Sequence, residues 1–231
     1  MATPMSTLSI IVPVLNEEQT LGRSLEHLAG QGEIIVVDGG STDKTVEIAQ
    51  SAGATVIFSP LGRAVQMNIG AKSSSGDNLF FLHADTFAPK GFKQLIGTTL
   101  DNPTVAMGAF ALGFNSGEKK LKAIAKVANL RSRFLQLPYG DQGFFMARSR
   151  YTEIGGFPEI EIMEDFVFVR KMKRLGRIVH LPDPVCTSSR RWQNFGCIKT
   201  TVINQLIVGG YLLGVSPSRL ARMYQRLRGL N

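Results

Sequence analysis

The sequence predicts an α/β protein: a doubly wound, mainly parallel sheet flanked by helices, with amphipathic helices at the carboxyl end. Three observations carry this. Short apolar runs at 8–15, 33–38, 55–58 and 79–82 alternate with helical patterns, at a spacing that suits parallel strands joined by right-handed crossovers. The runs are continuously apolar, as strands covered on both faces are. Most of them stop at polar residues, and ligands bind at the carboxyl ends of such strands.

The first strand, Leu-Ser-Ile-Ile-Val-Pro-Val-Leu, is β-branched and carries Pro13 near its end. Asn16 is placed to cap a helix whose first turn holds Glu17 and Glu18 and whose apolar positions include Leu21, Leu25 and Leu28. The second strand closes on Asp38-Gly39-Gly40-Ser41-Thr42-Asp43, where two glycines permit tight backbone and Asp43 starts a helix over 44–51. A third strand at 55–58 leads to a helix over 62–73 that bears Arg63, Gln66 and Asn68. The fourth strand, the run around which the chain is organised, ends in His83-Ala84-Asp85-Thr86 and precedes a helix over about 89–100. For Asp85 the residues alone leave two roles open, a cap for that helix or a ligand for a cation or a ribose hydroxyl.

After residue 102 the pattern changes. A strand is expected at 105–114 and a basic amphipathic helix at 118–134, with Leu121, Ile124, Val127 and Leu130 on one side. Tyr139-Gly140-Asp141-Gln142 leads straight into another apolar strand, and Gly155-Gly156-Phe157-Pro158 makes a turn. Glu164 and Asp165 open a helix to about 175, a placement that the helix dipole favours. A short strand at 178–181 follows, then two amphipathic helices over 195–228, broken at Ser216-Pro217. The expected division is a domain over 1–192, with halves 1–102 and 103–192, and a helical tail over 193–231.

Charge is distributed unevenly. Residues 1–118 carry 6 basic and 11 acidic side chains, a net −5, whereas residues 119–231 carry 20 and 7, a net +13. The second half therefore suits an anionic partner: a phosphorylated substrate or a membrane surface. Nucleic acid is disfavoured, because few aromatic residues accompany the basic ones and no nucleic-acid motif is present. Cys186 and Cys197 make no disulfide framework, no run reaches the roughly 20 apolar residues of a spanning helix, and the amino terminus lacks a cleavable leader. The expected location is cytoplasmic, at most peripheral at the cytoplasmic face of the membrane. Ile203, Leu206, Ile207, Leu212 and Leu213 in the tail could meet that membrane, pack on the sheet or form a homodimer.

Taken in order, Pro13-Val14-Leu15-Asn16-Glu17, Val37-Asp38-Gly39-Gly40-Ser41-Thr42-Asp43, His83-Ala84-Asp85, Gly155-Gly156-Phe157, Glu164-Asp165 and Arg190-Arg191-Trp192 resemble the family 2 glycosyltransferases, which have the GT-A fold. The segments Arg63-Ala64-Val65-Gln66-Met67-Asn68 and Tyr139-Gly140-Asp141-Gln142 are also similar to a bacterial subgroup labelled radical-SAM/selenodomain-associated transferase 2.

The resemblance implies an inverting transfer of a sugar from a nucleoside diphosphate sugar, with UDP the first choice, to an acceptor hydroxyl. It implies that Pro13, Glu17 and Asp38 hold the nucleoside. Arg63, His83 and Asp85 would face the diphosphate, with Mn²⁺ or Mg²⁺ at Asp85. His83 stands where the family's Asp-x-Asp has its first aspartate, which removes one negative charge from the metal site. Asp165 matches the catalytic base, and Glu164 beside it would raise its pKa or bind acceptor hydroxyls. Asp141, Gln142, Arg190, Arg191 and Trp192 are the sugar or acceptor contacts. The acceptor itself stays unidentified, a lipid-linked one being among the options. His180 is a distant metal-ligand candidate that is more simply a structural histidine.

Rival readings fare worse. A dehalogenase-type phosphatase needs a carboxylate where His83 stands, or an acid at position 87, which is Phe87. A nicotinamide dehydrogenase needs a glycine fingerprint after the first strand, where Pro13-Val14-Leu15-Asn16 has none. A nucleotidyltransferase and a GT-A domain that binds without turnover are the alternatives that remain.

Overall fold

The structure is a computed structural model that describes residues 6–189 and 196–228. One eight-stranded sheet, in the order β3-β2-β1-β4-β7-β6-β8-β5, runs through the molecule. Its strands are β1 (Leu8–Val14), β2 (Glu33–Asp38), β3 (Thr55–Phe58), β4 (Asn78–Phe81), β5 (Thr86–Phe87), β6 (Val105–Phe114), β7 (Phe144–Ala147) and β8 (Arg177–Thr187). The helices are α1 (Leu21–Leu28), α2 (Thr45–Ser51), α3 (Arg63–Ser73), α4 (Phe92–Leu100), α5 (Lys119–Leu135), α6 (Arg148–Glu153), α7 (Glu164–Met172), α8 (Cys197–Leu212) and α9 (Pro217–Arg228).

The first half is the expected parallel unit: β1 pairs in parallel with β2 and β4, and β2 with β3. Both faces of these strands are covered. Ile10, Val12, Phe80 and Leu82 enter one core with Leu21, Leu25, Phe92 and Ile96. Ile11, Leu79 and Phe81, the alternate residues, enter a second core with Met67, Phe157 and Phe168. The period of two along each strand thus feeds two cores, which explains why the sequence reads as an unbroken apolar run.

Beyond β4 the sheet becomes mixed. β7 inserts antiparallel between β4 and β6, β8 runs parallel to β6, and β5 pairs antiparallel with the end of β8. Strand β8 runs on past the expected end at 181. Its register jumps from Phe110–Leu181 to Ala111–Pro184, so Pro182 falls in an irregularity where no ladder N–H is required.

Local contacts decide four further points. Helix α1 starts at Leu21, not after Asn16, because Asn16 adopts φ 53° and gives its side chain to a neighbouring loop. Asp85 caps no helix: α4 begins seven residues later, and β5 intervenes. Helix α5 buries Leu121, Ala125, Ala128 and Ser132, leaving Val127 and Leu130 exposed. Of the tail residues, Ile203 and Ile207 pack with Met163, Phe166 and Leu220 in a third cluster, while Leu206, Leu212 and Leu213 stay exposed. Among the described residues no helix is long and apolar enough to cross a membrane.

The second half is tightly packed at Gly108, where an added Cβ would run into the ring of the cross-strand partner Phe145. Gly108→Ala is expected to lower unfolding stability by about 1–3 kcal/mol through overpacking, read from urea denaturation midpoints at unchanged slope.

Candidate active site

The rim of the parallel half is laced together by side chains. Asn16 donates its backbone N–H to Ser41 Oγ (2.9 Å), and its Oδ1 accepts from the Thr42 N–H (2.8 Å). The Glu17 N–H donates to Thr45 Oγ1 (2.7 Å), and the Glu18 N–H to Asp43 Oδ2 (3.2 Å). Below them Gln66, 4% exposed, donates from Nε2 to the carbonyls of Val14 and Val37, each at 2.8 Å. One amide thereby fixes the ends of β1 and β2 relative to each other.

Asp38 sits at that fixed point and is 1% exposed. Its Oδ2 accepts from the N–H groups of Gly40 (2.9 Å) and Ser41 (3.0 Å), an Asx-turn arrangement. Its Oδ1 is buried and has no hydrogen-bond donor among the described residues. An unpaired buried carboxylate oxygen costs more than about 1–3 kcal/mol, so it is a strong acceptor for an arriving N–H or O–H.

Three strand and helix ends converge on a cleft of about 370 Å³ lined by Arg63, His83, Tyr139, Gly140, Asp141, Glu164 and Asp165. His83 comes from the turn after β4, closed by the Thr86 N–H on the His83 carbonyl (3.1 Å). Asp165 Oδ2 accepts from the Gly140 N–H at 3.0 Å, which ties α7 to the turn before β7. A Cβ at Gly140 would lie 3.6 Å from both Asp165 Oδ2 and His83 Nε2, so a larger residue would crowd the space between them. A smaller recess behind the cleft is lined by Pro13, Arg63, His83 and Asp165, joining the end of β1 to the same place.

Glu164 is 8% exposed, and Arg63 Nη1 lies 3.7 Å from its Oε1. Burial pushes the Glu164 pKa up and the charge of Asp165 pushes it further, while Arg63 opposes both. Burial likewise raises the pKa of the Tyr139 phenol, whose ring carries the Arg131 guanidinium 3.4 Å from its centroid.

The structure thus brings Arg63, His83, Asp141, Glu164 and Asp165 into one cleft, with Pro13 behind it. Glu17 and Asp38 lie on the adjoining rim, and Asp85 lies in the turn between β4 and β5. Gln142 corrects the expectation of a sugar or acceptor contact. It is fully buried, donating to the Phe110 carbonyl (3.0 Å) and accepting from Ser132 Oγ (2.7 Å) and the Tyr139 N–H (3.1 Å), so it is a strut beneath the cleft. Asn68 has the same character: its amide accepts from the Phe157 N–H and Tyr151 hydroxyl and donates to the Phe157 carbonyl. Arg190, Arg191 and Trp192 lie outside the described residues. His180 is half-buried beside Arg133 on β8, away from the cleft, and among the described residues its Nε2 has no hydrogen-bond partner. Among the described residues no group of three or more His, Cys, Asp or Glu is arranged to hold a metal ion by itself.

Residues of α8 and α9, among them Asn204, Ile207, Val208, Tyr224 and Gln225, form the cleft's outer wall. No sequence signal points to them, because they reach the cleft only through packing on Met163 and Phe166. Tyr139 was within reach of sequence reading as the residue that opens Tyr-Gly-Asp-Gln.

Because the Glu164 pKa is raised in the folded state, its contribution to stability is complete below the unfolded glutamate value and is lost as pH rises through the folded value. Glu164→Gln removes that loss. Relative to the native chain, the variant is expected to gain stability progressively from about pH 4.5 upward, measured by denaturant unfolding between pH 4 and 8.

Several known proteins share this architecture and sequence. The glycosyl transferase family 2 model matches residues 9–155. An uncharacterised glycosyltransferase of Haemophilus influenzae is 35% identical over 94 residues, covering 36% of this chain and 38% of that protein. The chain thus aligns with well under half of that relative's length. Among solved structures, S. aureus TarS in complex with UDP-GlcNAc superposes with a TM-score of 0.64 at 21% identity, over 79% of this chain and 58% of TarS. Glucosyl-3-phosphoglycerate synthase from Mycobacterium tuberculosis, in complex with Mn²⁺, UDP and glucosyl-3-phosphoglycerate, gives 0.59 at 21% identity, over 79% of this chain and 72% of the synthase. The fold is therefore GT-A, and by the extent of the family match the chain belongs to glycosyl transferase family 2.

Proposed function

We propose that the protein is an inverting glycosyltransferase that moves a sugar from a UDP-sugar to an acceptor hydroxyl. The observation that carries the reading is the placement of Asp165, held by the Gly140 N–H in a cleft shared with His83 and Arg63, beside a rim where Asp38 keeps a buried oxygen without a donor. The complexes of TarS and of the mycobacterial synthase with uridine nucleotides support the choice of UDP.

Asp38 Oδ1 is the acceptor for the uracil imide or a ribose hydroxyl, and Glu17 and Pro13 flank it. The acceptor hydroxyl enters the cleft beside Asp141 and Glu164. Asp165 takes its proton as the hydroxyl oxygen bonds to the anomeric carbon, and the bond from that carbon to the diphosphate breaks with its electron pair leaving on the diphosphate. One base suffices, and no covalent intermediate forms. Arg63 stands where its guanidinium can turn from Glu164 to the phosphate oxygens.

A divalent metal fits this donor set. Asp85 is a single short carboxylate, half-buried at a strand-end turn, and Mg²⁺ is commonly held by one or two carboxylates with substrate phosphates completing its shell. Asp85 would hold Mn²⁺ or Mg²⁺, with the His83 imidazole beside it; when bound, the ion supplies positive charge to the departing diphosphate. The Mn²⁺ in the mycobacterial synthase complex supports this assignment.

Isothermal titration of the chain with UDP and GDP, with and without Mn²⁺, tests the reading. UDP is expected to bind preferentially, Asp38→Ala to weaken it about 10- to 100-fold, the worth of a charge-assisted hydrogen bond, and Asp85→Ala to abolish the increment due to metal. If neither nucleotide binds under any condition, the transferase reading fails. Asp165→Asn is expected to leave UDP affinity intact while slowing hydrolysis of a UDP-sugar by about 10²–10⁴. An unchanged rate would remove Asp165 as the base.

A further inference from the structure

A second groove, about 660 Å³, adjoins the cleft. Tyr139, Phe166 and Val208 line both, so the two spaces share a wall. The groove runs out between the ends of α5 and α8 past Leu135 and Leu212. Two of the lining leucines face solvent: Leu135 is 56% exposed and Leu212 60%. These two helix ends are apolar where a surface helix is ordinarily polar.

The charge around the groove has one sign. Arg131, Arg170, Lys173 and Arg174 line it, and among the described residues no carboxylate does. Three of the four have partners: Arg131 stacks on Tyr139, Arg170 lies over the Phe166 ring at 5.7 Å from its centroid, and Lys173 Nζ donates to the Leu135 carbonyl at 2.8 Å. Arg170 and Arg174 are exposed and form no ion pair among the described residues. An apolar rim with unpaired cations behind it is complementary to the surface of an anionic bilayer, whose hydrocarbon takes the leucines and whose headgroups take the arginines.

We propose that this groove is the entry path of the acceptor, an amphiphile presented by an anionic lipid bilayer. Its hydroxyl-bearing head reaches the cleft beside Asp165, and its hydrocarbon lies along Leu135, Val208 and Leu212. The assignment rests on the transferase reading and names its acceptor class. Ile203 and Ile207, which pack inward with Leu220, are not part of the docking face; Leu212 and Leu213, one turn and more beyond, are.

The test is vesicle flotation of the full chain with phosphatidylcholine alone and with phosphatidylglycerol mixed in, paired with UDP titration of the same preparation. The chain is expected to float with the anionic vesicles at least tenfold more strongly than with the neutral ones. Leu212→Asp/Leu213→Asp and Arg170→Glu/Arg174→Glu should each cut that binding about tenfold or more with UDP affinity and circular dichroism unchanged. Intact UDP binding without flotation overturns the groove assignment alone. Flotation that the leucine variant leaves untouched also overturns it, since the charge then acts without entry of hydrocarbon. Absence of UDP binding overturns the transferase reading and the acceptor assignment with it.

Discussion

The central strands are apolar on both faces, and that constraint governs where chemistry can occur. Ile10, Ile11, Val12, Phe80 and Leu79 are each fully buried, so no polar side chain is tolerated along the middle of β1 or β4. Polar groups are confined to strand ends, where loops rather than neighbouring strands surround them. The carboxyl rim is the end that the loops leave open for a ligand. Gln66 makes the rim rigid by bonding two strand-end carbonyls with one amide, each bond worth about 0.5–1.5 kcal/mol net. Asp38 is consequently held with one oxygen satisfied and the other waiting, a preorganised acceptor rather than a mobile one.

The second half solves a different problem, which is to place a pair of carboxylates beside that rim. Inserting β7 antiparallel against β4 brings the turn at Gly140 beside His83, and α7 then packs its amino terminus onto the same turn through Asp165. Met163, with φ 72°, provides the sharp entry that aims Glu164 and Asp165 into the cleft. Gln142 and Asn68 lie under these turns as hydrogen-bonded amides. They anchor Tyr139 and Phe157, so the cleft's floor depends on polar groups that never touch a substrate.

The fold of the first 100 residues was legible because its signals are local: apolar runs of strand length, each ended by a polar turn. Long-range pairing was less so. The expected strand at 178–181 was too short: the ladder runs on to Thr187 and accommodates Pro182 in a register shift that only the partner β6 reveals. Asn16 read as a helix cap because caps favour asparagine, but its side chain serves the loop after β2, whose proximity depends on the parallel register of β1 and β2. For the site, the carboxylates were legible from their positions at element ends. The misreading of Gln142 has a plain cause: a glutamine in a polar tetrapeptide looks exposed until four backbone and side-chain partners close around it. The contribution of α8 and α9 carried no local signal, since Val208 and Tyr224 become cleft residues only after the tail has packed on Phe166.

That packing also explains the charge asymmetry between the halves. Among the described residues that line the cleft Arg63 is the one cation, and it is partly engaged by Glu164. Among the described residues much of the second half's basic surplus lies on α5, α7 and α9, and none of those basic side chains lines the cleft. Charge placed there acts on what approaches the surface, not on the bond being broken. Helix α5 and the tail helices also expose Leu130, Leu135, Leu212 and Leu227, so the outer face is both basic and apolar, whereas the cleft gathers the carboxylates Asp141, Glu164 and Asp165.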